Sequence, residues 1–169
     1  NWWHTYLKTP YHLTHKVKHP ITLWYDKLGL ERVRSYDKKL PDSIFECDDA
    51  RIALFLKHLW ATDGNISWKN TKQQKDAAIY YASTSYKLIE QVQYLLLRLG
   101  IVGKIYKTQK GKYRPTYQLW IEGGASCHLS FLEKVGCYGE RGYKIPEMIT
   151  LLKQINVNPT DVIPKETWK

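Results

Sequence analysis

The chain has 169 residues, 43% of them hydrophobic, which suits one ordinary domain or two small halves with a buried core. Lysine and arginine exceed aspartate and glutamate by ten, and the isoelectric point is near 9.4. This positive surplus indicates a polyanionic partner, with nucleic acid favoured over a membrane surface. No apolar run reaches the length of a membrane span and no signal peptide is recognisable, so we expect no membrane association.

The three cysteines also limit the class of protein. Cys47, Cys127 and Cys137 form neither a disulfide framework nor a Cys-x-x-Cys zinc site. We therefore expect free thiols in a reducing, cytoplasmic compartment. The chain begins with Asn1 rather than Met, which indicates a fragment of a longer protein.

The first patterned segment in chain order spans residues 11–18. Apolar residues alternate there with polar or basic ones, namely Tyr11, Leu13 and Val17 with His12, Thr14, Lys16 and Lys18. Alternation with period two is typical of a half-buried strand. The segment resembles the strand predicted below at 113–122.

A helix is predicted over residues 48–64. Asp48 suits the N-cap, and apolar residues recur at helical spacing at Ile52, Phe55, Leu56 and Leu59. Asp63 continues this line four residues past Leu59, so we expect its carboxylate on the packed edge of the helix, not on the solvent face. Gly64 is placed to be the C′ residue. An anion is disfavoured at a helix C-terminus, so Asp63 is either a solvated turn residue or meets a positive partner.

Hairpins and helices are predicted to alternate after this helix. The expected elements are strands near 65–70 and 77–83, a helix at about 85–99, strands at 101–108 and 113–122, and a helix at about 125–135. The last strand places Tyr113, Tyr117, Leu119 and Ile121 on one face and Arg114, Thr116, Gln118 and Trp120 on the other. The order is α-β-β-α-β-β-α, and the fold class is α+β.

Two short blocks occur twice in the same order. WYDKLG at 24–29 matches FLEKVG at 131–136, and KLPDSI at 39–44 matches KIPEMI at 144–149. Such a repeat indicates a duplication. Residues 1–47 are therefore expected to be the trailing part of an earlier αββαββα unit, whose front part is not in this chain.

Residues 56–64, LKHLWATDG, resemble the nine-residue LAGLIDADG motif and match it at Leu56, Leu59, Asp63 and Gly64. With the element order and the repeat, the chain is similar to the LAGLIDADG homing endonuclease domains of inteins, and most to inteins in replicative DNA helicases. The resemblance implies a second αββαββα repeat with a saddle-shaped antiparallel sheet at 48–155. It also implies the trailing part of a first repeat at 1–47 and a connector toward a splicing domain at 156–169.

The resemblance further implies site-specific, metal-dependent cleavage of double-stranded DNA. Asp63 is then a ligand of Mg²⁺ (or Mn²⁺), the Gly64 carbonyl adds a weaker contact, and a second acid comes from the missing first-repeat helix or a second chain. By position in the Lys-x-apolar-Pro pieces, Lys38 and, less closely, Lys144 resemble the basic residue that stabilises charge or orients the nucleophilic water.

The motif also departs from the family pattern. Lys57 and His58 stand where small residues favour a close helix crossing, and Ala61 stands where a second acid is common. The alternative is therefore a catalytically degenerate LAGLIDADG module that binds DNA, or a maturase-like module that binds RNA.

The outward faces of the predicted strands supply the candidate DNA contacts. Arginine and glutamine can read base edges, whereas lysine more often holds phosphate. The candidates are Ser67, Lys69, Lys104, Tyr106, Thr108, Lys110, Lys112, Arg114, Gln118 and Trp120 and, in the partial first unit, His12, Thr14, Lys16 and Lys18.

Overall fold

The structure is a computed structural model and describes residues 7–30, 32–70 and 75–155. The chain divides into two compact units, Asn1–Val33 and Arg34–Lys169. The predicted connector at 156–169 lies outside the described residues. Within the described ranges, no helix has both the length and the apolar character needed to cross a bilayer.

The predicted strand at 11–18 is not formed in the first unit. The Thr14 hydroxyl accepts from the backbone N–H groups of Lys16 (3.3 Å) and Val17 (3.2 Å), which closes a local turn. Side-chain bonds of this kind compete with a strand ladder, and the described part of this unit contains no neighbouring strand to pair with. His12, Thr14, Lys16 and Lys18 therefore do not share a strand face.

The first unit forms helix α1 (Pro20–Lys27). The ring nitrogen Nδ1 of His19 accepts from the N–H of Ile21 at 3.1 Å and caps the helix. Pro20 suits the first helical position, because its φ is fixed near the helical value and it has no N–H to leave unpaired. After the helix, Gly29 adopts a left-handed φ of 65°.

The second unit follows the predicted α-β-β-α-β-β-α order, which is confirmed. Its elements are α2 (Asp49–Asp63), β1 (Gly64–Asn70), β2 (Lys75–Ser83), α3 (Tyr86–Arg98), β3 (Gly103–Thr108), β4 (Thr116–Ile121) and α4 (Gly124–Lys134). Two helices that were not predicted follow, α5 (Glu140–Tyr143) and α6 (Ile145–Gln154). The unit begins with 3₁₀ turns at Ser35–Asp37 and Asp42–Glu46. Leu40 and Ile44 from this part are buried in its core, so residues 34–47 belong to the second compact unit.

The four strands form one antiparallel sheet in the order β1-β2-β4-β3. One face buries Ile79, Leu119 and Ile121 against the helices, as the alternation in β4 predicts. Tyr113 is an exception, because β4 begins only at Thr116 and Tyr113 lies in the preceding turn with 79% of its surface exposed.

The helices cover this face with apolar stripes. Helix α3 buries Leu88, Val92, Leu95 and Leu96 of the predicted stripe. Helix α2 buries Ile52 and Leu56 of the predicted stripe together with Trp60, whereas Phe55 and Leu59 are only partly buried. The centres of the Trp60 ring and the Phe131 ring of α4 lie 4.8 Å apart, so the buried stripe of α2 includes Trp60.

Candidate catalytic site and DNA interface

Asp63 is the last residue of α2, and its side chain is exposed. The expectation that it avoids the solvent face is therefore wrong, because the helix ends beyond the edge of the core. The carboxylate lines a cavity of about 340 Å³ whose wall also includes Lys38 and Tyr81. The cavity at the foot of α2 is thus lined by an aspartate, a lysine and a tyrosine.

The backbone around Lys38 is attached to helix α3. The buried Ser85 hydroxyl donates to the Lys38 carbonyl at 2.6 Å and accepts from the Leu88 N–H at 3.2 Å as the N-cap of α3. Two residues on, the Leu40 N–H donates to the Gln91 side-chain oxygen at 2.8 Å. These bonds hold Lys38 at the Asp63 cavity, although the two residues are 25 positions apart in sequence.

Tyr81 is a site residue that the sequence reasoning missed. It faces inward from β2, directly opposite Gly64 of β1. Burial, with a contribution from the negative charge of Asp63, raises the pKa of Tyr81 to about 12. The phenol therefore keeps its proton at neutral pH and can donate a hydrogen bond toward an anion in the cavity.

Gly64 does not act as a left-handed C′ residue. Its φ of −81° and ψ of 162° are extended, and it is the first residue of β1. A Cβ at this position would lie 2.4 Å from Cδ1 of Trp60. A glycine is thus required here because Trp60 approaches so closely. With glycine at this position, the chain passes from α2 into β1 without an intervening loop.

Arg141, which was also missed, binds the end of α2. Its guanidinium donates to the carbonyls of Trp60 (3.3 Å) and Ala61 (3.4 Å), which complements the negative end of the helix dipole. Lys144 is exposed where α5 meets α6, and it is not part of the wall of the Asp63 cavity.

The two bulky motif residues pack to one side of α2. The Lys57 amine lies 4.5 Å from the centre of the Tyr138 ring, and the centres of the His58 and Tyr138 rings are 4.8 Å apart. His58 therefore packs at the edge of the motif helix. Leu54, one turn earlier, keeps 50% of its surface exposed.

The open face of the sheet carries seven of the fourteen candidate DNA contacts. The pairing of β4 with β2 and β3 sets Trp120 between Tyr80 and Lys104, and Gln118 between Ala82 and Tyr106. Ser67, Lys69 and Thr108 lie on the same face by register. Tyr80 and Glu122, which the sequence reasoning missed, also belong to this surface.

The turn between β3 and β4 carries the three remaining candidates of the second unit. Lys110 and Lys112 are exposed there, beside Gly111 with a left-handed φ of 55°. Arg114 lies just before β4, and its guanidinium is 3.8 Å from the centre of the Tyr36 ring. Arg114 is thus held against an aromatic ring, whereas the two lysines are free to reach a phosphate.

Comparisons with known proteins agree with this architecture. The family model of the LAGLIDADG-like domain matches residues 50–136. The replicative DNA helicases DnaB of Synechocystis sp. and Rhodothermus marinus are 39% and 38% identical over 99% of the chain. The chain spans only 19% and 18% of their lengths. The solved structure of I-DmoI in complex with DNA and Mn is 19% identical, with a TM-score of 0.35, over 64% of this chain and 55% of that one. The family match covers more than half of the 169 residues and includes all of the αββαββα unit except Asp49, the first residue of α2, so the chain belongs to the LAGLIDADG-like domain family.

Proposed function

We propose that the chain is part of a site-specific homing endonuclease domain of an intein, and that it contributes one of two acids to metal-dependent DNA cleavage. The observation that carries the proposal is the position of Asp63 at the foot of the motif helix, in a cavity shared with Lys38 and Tyr81. The adjoining sheet offers a basic and aromatic face that suits the major groove of double-stranded DNA.

The residues present fit a metal that is shared with other ligands. No group of three or more acid, histidine or cysteine residues that could hold an ion occurs within the described ranges. Mg²⁺, however, is commonly bound through one or two carboxylates with substrate phosphates and water, so Asp63 suffices as this chain's contribution, with the Gly64 carbonyl as a weaker contact. Bound there, Mg²⁺ or Mn²⁺ would neutralise phosphate charge and lower the pKa of a nucleophilic water.

Residues of this chain would assist the same chemistry. The Lys38 amine stabilises charge that develops on the phosphate, and the protonated Tyr81 phenol donates to an oxygen in the cavity. Lys144 remains a weaker candidate, because its side chain lies outside the cavity wall.

The second acid would come from a partner helix. Leu54 on α2 is half exposed, so the helix has an apolar side chain available for contact with such a partner. The partner is the motif helix of a first repeat, or the same helix of a second chain. The ends of α1 and α4 support an arrangement in two repeats, because they are alike. Helix α1 ends at Lys27 and is followed by Gly29 with a φ of 65°, and helix α4 ends at Lys134 and is followed by Gly136 with a φ of 63°.

These similarities favour the division that the repeat predicts. Residues 1–47 would be the trailing part of the first repeat, 48–155 the second repeat, and 156–169 a connector toward a splicing domain. Insertion of an intein in a replicative helicase would explain why the chain aligns with about a fifth of each helicase relative.

A catalytically degenerate module is the second candidate. Ala61 of the motif offers no carboxylate, and bulky Lys57 and His58 replace small residues. Such a module would bind DNA, or RNA in the manner of a maturase, without cutting.

Cleavage by the full-length protein that contains this chain tests the proposal. A plasmid carrying the uninterrupted host gene is incubated with Mg²⁺, Mn²⁺ or EDTA, and wild type is compared with Asp63→Asn. We expect metal-dependent cutting at one locus, reduced to nicking or lost in Asp63→Asn. Asp42→Asn, a surface carboxylate change outside the cavity, is the matched control and should cut normally.

Binding without cutting in any metal would reject the endonuclease proposal and favour the degenerate module. Preference for RNA over duplex DNA in the same assay would identify the maturase-like alternative. Full activity of Asp63→Asn would show that the acid has been assigned wrongly.

A further inference from the structure

A carboxylate occupies the basic open face of the sheet, where it works against phosphate binding. Glu122 follows β4 two residues after Trp120, and its N–H bonds the Val102 carbonyl at 3.0 Å, which continues the strand ladder. It lines a shallow depression of about 380 Å³ with Tyr106, Gln118 and Trp120. An anion at this position repels DNA unless it meets a hydrogen-bond donor.

The carboxylate is held in a fixed position. The Tyr106 hydroxyl donates to Oε1 of Glu122, and the Lys104 amine lies 5.3 Å from the centre of the Tyr106 ring. One carboxylate oxygen is therefore engaged, whereas no described contact involves Oε2. A side chain oriented in advance loses little conformational entropy on binding, so it discriminates sharply between partners.

Gln118 is also oriented by a neighbouring side chain, but its available group is a hydrogen-bond donor, whereas that of Glu122 is an acceptor. The indole N–H of Trp120 donates to its Oε1 at 3.1 Å, so the amide NH₂ is left to act as a donor. Trp120 is itself fixed, because its ring stacks on Tyr80 with centres 4.5 Å apart and the Lys69 amine lies 5.0 Å from it.

We propose that this cluster reads two base pairs: Glu122, held by Tyr106, accepts from the exocyclic amine of a cytosine, and Gln118, held by Trp120, donates to an acceptor on a second base. Cytosine is favoured because its major-groove edge presents only a donor, whereas adenine places the N7 acceptor beside its amine. This inference rests on the proposed function, which puts DNA along the sheet.

The strand geometry sets the separation of the two base pairs. Glu122 and Gln118 are four residues apart on an extended chain, which corresponds to about 13 Å. Base pairs rise about 3.4 Å each, so the two positions should lie about four base pairs apart when the strand follows the groove.

Selection from a randomised duplex library tests the assignment. The full-length protein is incubated with the library in EDTA, so that binding is measured without cleavage, and retained duplexes are sequenced. Wild type should select cytosine at one position. Glu122→Gln, whose amide can donate as well as accept, should lower that preference about tenfold without loss of total binding. Tyr106→Phe should weaken preference at the same position, and Trp120→Phe at the second.

Glu133→Gln is the matched control, because this glutamate lies on α4 and pairs with Lys153 at 3.1 Å, away from the sheet. Its selected sequences should equal those of wild type. An unchanged profile for Glu122→Gln would overturn this inference while leaving the proposed function intact. A wild type that retains no duplex would overturn the proposed function and this inference with it.

Discussion

Gly64 shows how one small residue joins the motif helix to the sheet. The chain enters β1 directly from α2, and the Trp60 side chain occupies the space that any Cβ would need. The constraint is steric, because the backbone of Gly64 is accessible to all residues.

We expect Gly64→Ala to lower the free energy of unfolding by about 2–3 kcal/mol, because the methyl group overpacks the core at Trp60. Urea unfolding followed by circular dichroism measures the change. Gly111→Ala is the control, because its Cβ meets no atom within 4 Å and only the strain of its left-handed φ, about 1 kcal/mol, is added. Equal losses in the two variants would contradict the steric explanation.

At the residue scale, a buried histidine also links β2 to β4 beyond the last paired residues of the two strands. The buried His128 of α4 places Nδ1 3.0 Å from the Asp76 carboxylate and Nε2 3.0 Å from the Ile121 carbonyl. Burial alone would raise the pKa of the Asp76 carboxyl, but the hydrogen bond and charge of His128, with smaller contributions from the Ala77 N–H and the Lys69 charge, together hold the pKa below the usual 3.8.

This pKa shift predicts a loss of stability in acid. A folded-state pKa below the unfolded value means that the unfolded chain binds more protons, so the pair contributes its full stabilisation above about pH 4 and loses it as the pH falls through the folded pKa. Asp76→Asn should therefore unfold with a shallower dependence on pH below 4, measured by thermal melts. In a His128→Asn background the same change should have little effect; an undiminished effect would contradict the pairing.

At the scale of elements, helix α3 organises the candidate site. Its N-cap Ser85 and its Gln91 both bind the segment 38–40, so the same helix that closes the core also fixes Lys38 beside Asp63. The position of Lys38 at the cavity and the stability of α3 are thus coupled through one hydroxyl.

Ser85→Ala should cost about 2 kcal/mol of unfolding free energy, because it removes the cap of α3 and leaves the Lys38 carbonyl without its donor. Asp48→Ala, which removes the more exposed N-cap of α2, should cost about 1 kcal/mol. In the plasmid assay, Ser85→Ala should also slow cleavage more than Asp48→Ala does. Equal stability and equal cleavage would show that the Lys38 bond contributes nothing.

At the scale of the whole molecule, the excess of ten positive charges is an electrostatic property that DNA binding should report. If about eight phosphates are neutralised, the logarithm of the binding constant should fall with the logarithm of salt concentration with a slope near −7. Lysines on the sheet and its turn would supply part of this slope.

Each of Lys69→Gln, Lys104→Gln and Lys110→Gln should reduce the slope by about one, measured by fluorescence anisotropy between about 50 and 200 mM salt. Lys87→Gln on α3 and Lys153→Gln on α6 remove the same charge away from this surface and should leave the slope unchanged. If all five variants reduced the slope equally, the slope would depend on net charge alone and not on where each lysine lies.

The sequence by itself determined the order of the elements, the alternation of β4 and the motif helix with its terminal Asp63. Hydrophobic periodicity and capping are local properties, so they can be read from neighbouring residues. The family resemblance singled out Lys38 by its place before Leu40 and Pro41, but it implied no distance to Asp63.

Only the tertiary structure decided which residues meet. Tyr81 and Arg141 reach the foot of α2 from β2 and α5, and Glu122 meets Tyr106 across two strands. It also decided against a strand at 11–18, because a strand forms only where a neighbour supplies its hydrogen bonds. Such contacts depend on strand register and helix packing over long sequence separations, and no local pattern in the sequence encodes them.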